Sequence, residues 1–319
     1  MITLRVTDLR GWKECRRKYY FSKVLRLKAR PSEDNILSAT DLGTLGHKAL
    51  EMSDQNGDPP STYLLQSAEE LGLDLTPDDV DMWTRLLDIY EYTVGQPSRK
   101  FWTNIKTELN LRWELPNGVA IEGQIDKMGT YQGRTWFRDY KFLSRLPKPK
   151  VLELDYQMSL YFYLARKNFP EEPVVGAWYT VILKRLPTVP EPLKNGKLST
   201  ARTVLESCTH DSYLEGIRKA GLDPADYSDV LEQLDGKDNP TIHEFPIRRT
   251  SEEVNVIEQH LIRETNDLIA CGDDPYNFYP NVGDACSWCE YFVLCKATLQ
   301  DSVTEPILSM YIKKQEGER

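Results

Sequence analysis

The apolar positions of this chain follow a helical period over most of its length and an alternating period in one central region. The alternating region is 105–142, where Pro116-Asn117-Gly118 and Gln132-Gly133 separate short apolar runs. This pattern predicts a meander of three β-strands. Helical spacing predicts helices on both sides of the meander, at 7–28, 42–52, 62–71, 77–95, 153–168 and 251–271.

Two further strands are predicted beyond the meander, at 174–183 and at Ile242–Ile247. The connection between them, at about 186–240, begins with Pro, Lys and Gly residues and continues with helical spacing. We interpret this connection as a mostly helical insertion. The elements together predict an α/β fold, with a mixed β-sheet flanked by helices, in a single domain over residues 1–300 that is followed by a polar tail at 301–319.

The second hairpin of the meander brings charged residues together. If Gln132-Gly133 forms its tip, Asp126 lies directly opposite Asp139 on one face of the sheet, and Lys141 points to the same face. Two such carboxylates repel each other unless a cation lies between them, and Mg²⁺ and Mn²⁺ prefer oxygen ligands of this kind. The adjacent ammonium can orient water or stabilise a phosphate. The pattern is compatible with metal-assisted hydrolysis, but D-x-K is common in strands, and an exposed sheet with unrelated charges is the alternative.

Two predicted helices carry further candidate site residues. His47 follows Gly43 and Gly46, two small residues that let another backbone or a metal approach. A purely structural histidine is the alternative. Gln157 and Tyr161 lie one helical turn apart and can hold a nucleic-acid strand beside the metal, whereas an ordinary helix surface is the alternative for this pair.

The cysteines are placed in a way that indicates a metal site. Cys286, Cys289 and Cys295 form a C-x2-C-x5-C cluster, and Cys15 stands alone near the N-terminus. Four thiols suit either Zn²⁺ or an iron–sulfur cluster, and either would tie the two ends of the chain together. The two remaining cysteines are predicted to be ordinary buried residues, namely Cys208 and Cys271.

Charge is distributed unevenly along the chain. The formal net charge is −9, which argues weakly against general nucleic-acid binding. Residues 1–30, however, contain ten Lys and Arg against two acidic residues, interleaved with aromatic side chains. Such a stretch can hold phosphates and stack on bases, and a solvated amphipathic helix is the alternative. The triplet that we expect to bind substrate is Arg16, Arg17 and Lys18.

Composition and local sequence exclude several classes of protein. The hydrophobic content of 40% is that of a globular protein. There is no run of 18 apolar residues, so no membrane span is expected, and the N-terminus lacks an apolar signal segment. We therefore expect a cytoplasmic protein, in which cysteine clusters bind metal more often than they form disulfides. The sequence contains no phosphate-binding loop of the helicase type.

The order of the motifs resembles a known family. G-x-x-x-H, G-x-I-D, D-Y-K and Q-x-x-x-Y follow one another between residues 43 and 161. This order resembles the PD-(D/E)XK nucleases of the RecB type, and with the flanking cysteines it resembles their iron–sulfur branch, which includes the AddB nuclease domain, CRISPR-associated spacer-acquisition exonucleases and phage relatives. The resemblance spans residues 15–295 and implies a restriction-endonuclease-like fold whose termini are stapled by a [4Fe–4S] cluster. The insertion at about 186–240 has no clear counterpart in the compact members.

The resemblance implies a role for each motif residue. Binding of Mg²⁺ or Mn²⁺ is implied for four residues, the last through its carbonyl oxygen: His47, Asp126, Asp139 and Tyr140. Catalysis is implied for Lys141, and substrate contact for Gln157 and Tyr161. Glu108 is a looser match for a further carboxylate. The implied ligands of the iron–sulfur cluster are Cys15, Cys286, Cys289 and Cys295.

The predicted function is a metal-dependent DNA exonuclease that hydrolyses phosphodiester bonds in recombination, repair or DNA-end processing. Its expected partners are DNA, either single-stranded or with free ends, and a recombination or helicase protein. One alternative is a nuclease-inactive iron–sulfur protein that binds DNA or acts as a scaffold, although the intact set of Asp126, Asp139 and Lys141 argues against it. A second alternative is an endonuclease or RNA-directed enzyme of the same fold.

Overall fold

A computed structural model describes residues 2–30 and 37–314 of the chain. Within these residues, a six-stranded sheet forms the centre of the molecule, and a two-stranded sheet joins segments from its two ends. The strands are β1 (Ile2–Arg5), β2 (Leu27–Ala29), β3 (Trp102–Glu114), β4 (Val119–Tyr131), β5 (Arg134–Leu143), β6 (Gly176–Leu183), β7 (Ile242–Ile247) and β8 (Tyr311–Lys313).

The helices surround the central sheet and also build the insertion and the C-terminal segment. In the described part of the chain they are α1 (Val6–Glu14), α2 (Arg16–Tyr19), α3 (Ala39–Asn56), α4 (Leu64–Leu71), α5 (Pro77–Tyr90), α6 (Gln96–Arg99), α7 (Pro149–Leu152), α8 (Tyr156–Asn168), α9 (Arg202–Leu205), α10 (His210–Lys219), α11 (Ser228–Leu234), α12 (Ser251–Ala270), α13 (Phe292–Leu299) and α14 (Glu305–Leu308). None of these helices is both long enough and apolar enough to cross a membrane.

Strand β4 organises the central sheet because three strands pair with it. β3 runs antiparallel along one edge of β4, from residue 120 to residue 131. The other edge is shared by β1, which is parallel, and β5, which is antiparallel. β6 then lies parallel to β5, and β7 lies antiparallel to β6. The predicted meander and the two predicted later strands are confirmed.

Two apolar cores hold helices against the two faces of this sheet. On one face, α1, α8 and α12 pack over a cluster that includes Phe137, Leu164 and Leu261. On the opposite face, α3, α4 and α5 pack over a cluster that includes Trp83 and Phe142. Burial of apolar surface stabilises such layers by about 25 cal/mol per Å². The predicted restriction-endonuclease-like architecture, a mixed sheet flanked by helices, is confirmed.

The N-terminal segment differs from the single helix predicted at 7–28. β1 precedes the helical part, and the helix is interrupted at Cys15, whose backbone is extended with φ −164° and ψ 113°. After α2 the chain makes a wider helical turn at Tyr20–Val24 and then enters β2. The spacing of apolar residues could not reveal these breaks, because the segments before and after Cys15 both keep helical spacing. Contacts with residues distant in the chain determine where each segment ends.

The insertion and the tail each have structure of their own. The predicted helical insertion contains α9, α10 and α11 around a small core that includes Cys208 and Tyr213. Within the polar tail at 301–319, β8 pairs with β2, so that the two ends of the described chain meet in a small sheet. Residues 315–319 of the tail lie outside the described residues.

Candidate active site

An opening in the central sheet lies where β1 and β5 share one edge of β4. β1 pairs with residues 119–122 and β5 pairs with residues 127–131, which leaves a gap of four residues between them. Asp126 lies in this gap, and its Oδ2 accepts a hydrogen bond of 2.7 Å from the backbone N–H of Tyr140 in β5. A side-chain carboxylate thus takes the place of a backbone acceptor where the two strands separate.

The turn that sets the register of this hairpin was predicted correctly. Gln132 and Gly133 form its tip with φ angles of 50° and 75°, as a tight hairpin turn requires. The predicted register holds for all the backbone pairs of β4 with β5, the last of which joins Lys127 to Arg138. The predicted pair of Asp126 and Asp139 would be the next step along the ladder, where the strands have already parted.

Asp139 and Lys141 form an ion pair beside this opening. Lys141 Nζ lies 2.8 Å from Asp139 Oδ2 and 3.0 Å from Oδ1. They lie two residues apart in β5 and therefore project from the same face of the sheet. Asp139 is 1% exposed, whereas the Lys141 side chain keeps 18% of its surface accessible. The carboxylate is therefore buried and the ammonium lies between it and solvent.

Helix α3 brings His47 to the same place. His47 Nδ1 lies 3.4 Å from Asp126 Oδ2, and the ring makes edge contacts with Tyr140 and Phe142. The helix can come this close because of Gly46: a Cβ atom there would lie 2.3 Å from the Phe142 ring. Close packing therefore requires a glycine at Gly46. The glycine of the G-x-x-x-H motif itself, Gly43, has open space, because a Cβ there would meet no atom within 4 Å.

The charges at the opening shift one another's pKa values. Burial raises the pKa of Asp139 to about 6, with Lys141 opposing and Asp126 adding to the shift. Burial also acts to raise the pKa of Asp126, but His47, Lys141 and the Tyr140 N–H outweigh it and lower that pKa overall. Burial acts to lower the pKa of His47, and Asp126 reverses this so that the pKa is raised. A cation bound between the carboxylates would favour the ionised form of both.

Two more carboxylates face this opening from neighbouring elements. Glu108 in β3 has a left-handed φ of 46°, and no backbone pair joins it to Asp126 in the β3–β4 ladder. Burial, together with the charges of Asp126 and Glu51, raises the pKa of Glu108 to about 7. Left-handed backbone at a non-glycine residue is costly and is concentrated at functional sites. Glu51 lies one helical turn after His47, and its carboxylate pairs with Lys48 at 3.1 Å.

The N-terminal half of α8 borders the site as a hydrogen-bonded chain. Gln157 Nε2 donates to the Tyr161 hydroxyl at 2.8 Å, and Arg10 Nη1 of α1 donates to Gln157 Oε1 at 3.4 Å. Gln157 and Tyr161 are 7% and 5% exposed, so they do not form an ordinary helix surface. Burial and the charge of Asp139 raise the pKa of Tyr161, which is thus close enough to interact with that carboxylate. Arg10 is an addition that the sequence pattern did not single out.

The donor atoms at this opening fit a divalent cation by their chemistry. Within residues 2–30 and 37–314, no group of three or more His, Cys, Asp and Glu side chains is arranged to hold a metal as it stands. Asp139 is instead engaged by Lys141, and Asp126 by His47 and the Tyr140 N–H. Carboxylate oxygens with an imidazole nitrogen are nevertheless ligands that suit Mn²⁺, and the carboxylates also suit Mg²⁺.

Comparison with protein families identifies the class to which this site belongs. A family model of the PD-(D/E)XK nuclease superfamily matches residues 3–296 of the chain. The chain belongs to this superfamily. The match covers the sheet, the opening at Asp126 and the cysteine segment, so the protein is a PD-(D/E)XK nuclease over nearly its whole length.

Solved structures similar to this PD-(D/E)XK nuclease have low sequence identity to it. The protein SSO0001 is 13% identical, with a TM-score of 0.32 over 93% of this chain and 96% of that chain. A phage-related exonuclease from Haemophilus somnus 129PT is 14% identical, with a TM-score of 0.30 over 84% and 96%. The protein VC1899 from Vibrio cholerae is 12% identical, with a TM-score of 0.21 over 73% and 57%. Comparison with curated proteins finds no match.

The four clustered cysteines of the nuclease lie in one region, and none of them forms a disulfide. Cys15 Sγ accepts a hydrogen bond of 3.4 Å from the backbone N–H of Asn281, which ties α1 to the C-terminal segment. Burial raises the pKa of Cys295, and the charges of Cys15, Cys289 and Cys286 add to the shift. The thiols are thus near enough to interact, although the described side chains are not arranged as a ligand set.

The basic N-terminal segment of the nuclease does not present all of its predicted substrate-binding residues. The Arg16 guanidinium lies 4.3 Å from the centre of the Trp12 ring and 5.0 Å from that of Tyr279, and Lys18 pairs with Glu14 at 3.0 Å. Arg17, however, is only 7% exposed. Arg17 is thus less accessible than Arg16 and Lys18, and its contact with substrate stays a prediction.

Proposed function

We propose that this protein is a metal-dependent deoxyribonuclease that degrades DNA from free ends in recombination, repair or DNA-end processing. The observation that carries this proposal is the opening beside β4, where Asp126, Asp139, Lys141 and His47 converge. Paired carboxylates with an ammonium suit metal-assisted hydrolysis of a phosphodiester. The order of the motifs, which resembles that of RecB-type nucleases, supports the exonuclease form over the endonuclease form.

In this proposal the carboxylates and the imidazole hold Mg²⁺ or Mn²⁺ together with the Tyr140 carbonyl. A metal bound there would lower the pKa of a coordinated water and stabilise charge on the phosphate. Burial acts to lower the pKa of Lys141, but the charges of Asp139 and Asp126 outweigh it and raise the pKa overall. Lys141 therefore stays protonated at neutral pH and acts by stabilising negative charge and not as a general base.

The substrate strand is proposed to pass along the N-terminal half of α8. Gln157 and Tyr161 are hydrogen-bonded to each other within reach of Asp139, and Arg10 extends this chain of contacts towards solvent. The amide, the hydroxyl and the guanidinium are all groups that contact phosphate oxygens. Their position next to Lys141 would align a phosphodiester with the metal.

We also propose that Cys15, Cys286, Cys289 and Cys295 hold a [4Fe–4S] cluster with a structural role. The bond from Asn281 to Cys15 and the electrostatic interaction among the four thiols support a shared site. Cys289 and Cys295 also pack against the apolar cluster that contains Phe21 and Tyr311, next to the sheet of β2 and β8. A cluster at this position would fasten the N-terminal segment to the C-terminal segment.

Digestion of end-labelled DNA is the direct test of the nuclease proposal. Linear single-stranded and double-stranded DNA and a covalently closed circle are incubated with the purified protein in Mg²⁺, in Mn²⁺ and in EDTA. We expect progressive loss of label from at least one linear substrate with either metal, and no cleavage in EDTA, because water must be activated by the metal.

The closed circle separates the exonuclease from the endonuclease of the same fold. An exonuclease leaves the circle intact until a nuclease of known specificity has opened it, whereas an endonuclease cuts it directly. Cleavage of the circle would contradict the exonuclease form. Cleavage of RNA in place of DNA, or no cleavage of any substrate in either metal, would contradict the proposed function itself.

Charge reversal at the partly exposed Arg16 and Lys18 should weaken DNA binding. The variant Arg16→Glu/Lys18→Glu removes two cations from the aromatic, basic surface around Trp12 and Tyr279. If both contact phosphates, the plot of log K against log salt becomes less steep by roughly 1 to 2, because fewer counterions are released. Binding is measured in Ca²⁺ at several salt concentrations.

A matched variant on the insertion controls for net charge. Arg202 and Lys219 are exposed and form i,i+4 pairs with Glu206 and Glu215, as Lys18 does with Glu14. Arg202→Glu/Lys219→Glu makes the same change in charge and should leave the salt slope near that of the wild type. Equal slopes in all three proteins would show that the N-terminal segment does not bind DNA. Iron content is measured in parallel because Lys18 interacts electrostatically with Cys289.

A further inference from the structure

A buried ion pair lies behind the candidate active site, between α3 and β4. Lys127 Nζ is 2.5 Å from Asp54 Oδ1, and their side chains are only 1% and 8% exposed. Asp54 Oδ2 also accepts a hydrogen bond of 3.0 Å from the Tyr140 hydroxyl. Tyr140 in turn accepts one of 3.1 Å from the Tyr90 hydroxyl. Both oxygens of Asp54 are therefore engaged by the sheet.

Such a pair is hard to explain by stability alone. Removing an ammonium and a carboxylate from water costs several kcal/mol per ion, and apolar residues of similar size often stabilise the same position equally well or better. The surrounding cluster on this face of the sheet is apolar, with Leu50, Trp83 and Phe142 among its members, and the buried Arg138 also interacts electrostatically with both Lys127 and Asp54. A charged pair in that setting indicates a requirement for a fixed geometry.

The sequence positions of the two Asp54 partners identify that geometry. Lys127 directly follows Asp126 in β4, and Tyr140 directly follows Asp139 in β5. Asp54 thus contacts the residue next to each of the two site carboxylates, and these contacts hold the backbone from which Asp126 and Asp139 project. The backbone ladder between β4 and β5 ends at Lys127, and the strands have no backbone pair at Asp126. Asp54 bridges the two strands where their backbone hydrogen bonds stop.

Asp54 also belongs to the helix that carries His47. The two residues lie seven positions, or about two helical turns, apart on α3. The contacts of Asp54 with Lys127 and Tyr140 therefore hold this helix against both strands at once. One carboxylate thus connects the three elements that supply His47, Asp126 and Asp139.

We propose that Asp54 is a positioning residue, which sets the separation of the Asp126 and Asp139 carboxylates and the approach of His47. The inference rests on the proposed function, since it concerns the metal that these three residues would bind. Asp54 itself is buried between α3 and the sheet, where both of its oxygens are engaged, and it is not among the proposed metal ligands. Outer partners of this kind typically change metal affinity or activity by about 10- to 100-fold when they are removed.

Two variants separate positioning from stability. Asp54→Asn leaves the Lys127 ammonium buried without its charge partner and should lower the unfolding temperature. Asp54→Asn/Lys127→Met removes both charges and should recover much of that stability. We expect both variants to bind Mn²⁺ about 10- to 100-fold more weakly than the wild type, measured by electron paramagnetic resonance without DNA. If Asp54 only contributed to stability, the double variant would recover its Mn²⁺ affinity together with its unfolding temperature.

Glu244→Gln is the matched control. Glu244 Oε1 lies 2.8 Å from Nη1 of the buried Arg138, which belongs to β5 as Tyr140 does. Arg138 also interacts electrostatically with Asp54, but its ion pair joins β5 to β7 and makes no bridge to α3. Glu244→Gln should therefore lower stability with little change in Mn²⁺ affinity. An equal loss of Mn²⁺ affinity in Glu244→Gln and in the Asp54 variants would show a general response to buried charge and would overturn the proposal.

Hydrogen exchange gives a second measurement that needs no metal. The Tyr140 amide donates to Asp126 Oδ2 across the opening, so its exchange reports whether the strands keep their separation. We expect faster exchange at Tyr140 in the double variant and wild-type exchange in Glu244→Gln. Wild-type exchange and wild-type Mn²⁺ affinity in the double variant would overturn the role of Asp54. A wild-type protein that bound no Mn²⁺ would contradict the proposed function instead, and exchange at Tyr140 would still decide the role of Asp54.

Discussion

Replacing Asp126 or Asp139 by asparagine should reduce DNA cleavage to background while leaving DNA affinity in Ca²⁺ nearly unchanged. Each substitution removes a negative charge from the opening where a divalent cation would bind, so the metal would lose one of its proposed ligands. DNA affinity is dominated by phosphate contacts elsewhere on the protein and does not depend on that single charge. Initial rates on linear DNA and binding in Ca²⁺ measure the two effects separately.

Glu122→Gln provides the control for this experiment. Glu122 lies in the same strand as Asp126, but it is paired only with the exposed Arg112 among the ion pairs of the described chain. Its loss should leave cleavage within about twofold of wild type, as expected for surface substitutions. Near-normal cleavage by Asp139→Asn, in a protein with an unchanged unfolding temperature, would contradict the assignment of the site.

Lys141→Ala should also lower the rate of DNA cleavage, but less than the substitutions of Asp126 and Asp139. The loss of one positioned charge donor typically lowers kcat by about 10²- to 10³-fold. Its removal also leaves the buried Asp139 without its partner ammonium, so Mn²⁺ affinity should not fall as it does in the carboxylate variants. A loss of metal binding equal to that in Asp139→Asn would show that Lys141 acts on the fold of the site and not on the phosphate.

Replacing Cys15 by serine should remove the iron–sulfur cluster and loosen both ends of the chain. Protein purified without oxygen should be brown, with about four iron and four sulfide ions per chain. Cys15→Ser should lose most of its iron and sulfide. Cys15 is the one proposed cluster ligand in the N-terminal segment, so its loss would release the long loop that the cluster closes. The unfolding temperature should fall, and limited proteolysis should cut both terminal segments.

Cys271→Ser and Cys208→Ser are controls with the same chemical change. Cys271 packs near Trp12 and Phe278, and Cys208 lies in the core of the insertion. Both variants should keep their iron and their colour. Cleavage in Cys15→Ser should fall through loss of order, because no thiol is needed to activate water at a carboxylate-bound metal. A colourless wild-type protein with one zinc per chain would refute the cluster and leave the nuclease proposal intact.

Local sequence was enough to predict the parts of the fold that local chemistry determines. The Gln132-Gly133 turn sets its own register, and the predicted pairing holds through the β4–β5 ladder. Thr76, followed by Pro77, begins α5 with a capping box, as its sequence indicates. The sequence also located α12, which is apolar on one face, and α8, whose side chains are buried almost all round.

The tertiary structure alone decided how the site is held together. Four residues at the N-terminus carry no signal that they pair parallel with β4, yet this pairing creates the opening at Asp126. The sequence predicts that Arg17 is a surface cation, but packing near Phe21 and Cys295 buries it. In the sequence, Asp54 and Lys127 are charged residues 73 positions apart with no sign of contact, and only the packing of α3 against β4 makes them an ion pair. Sequence thus determined the elements and the reactive groups, while contacts between residues distant in the chain determined their positions, because those contacts depend on packing that no local pattern encodes.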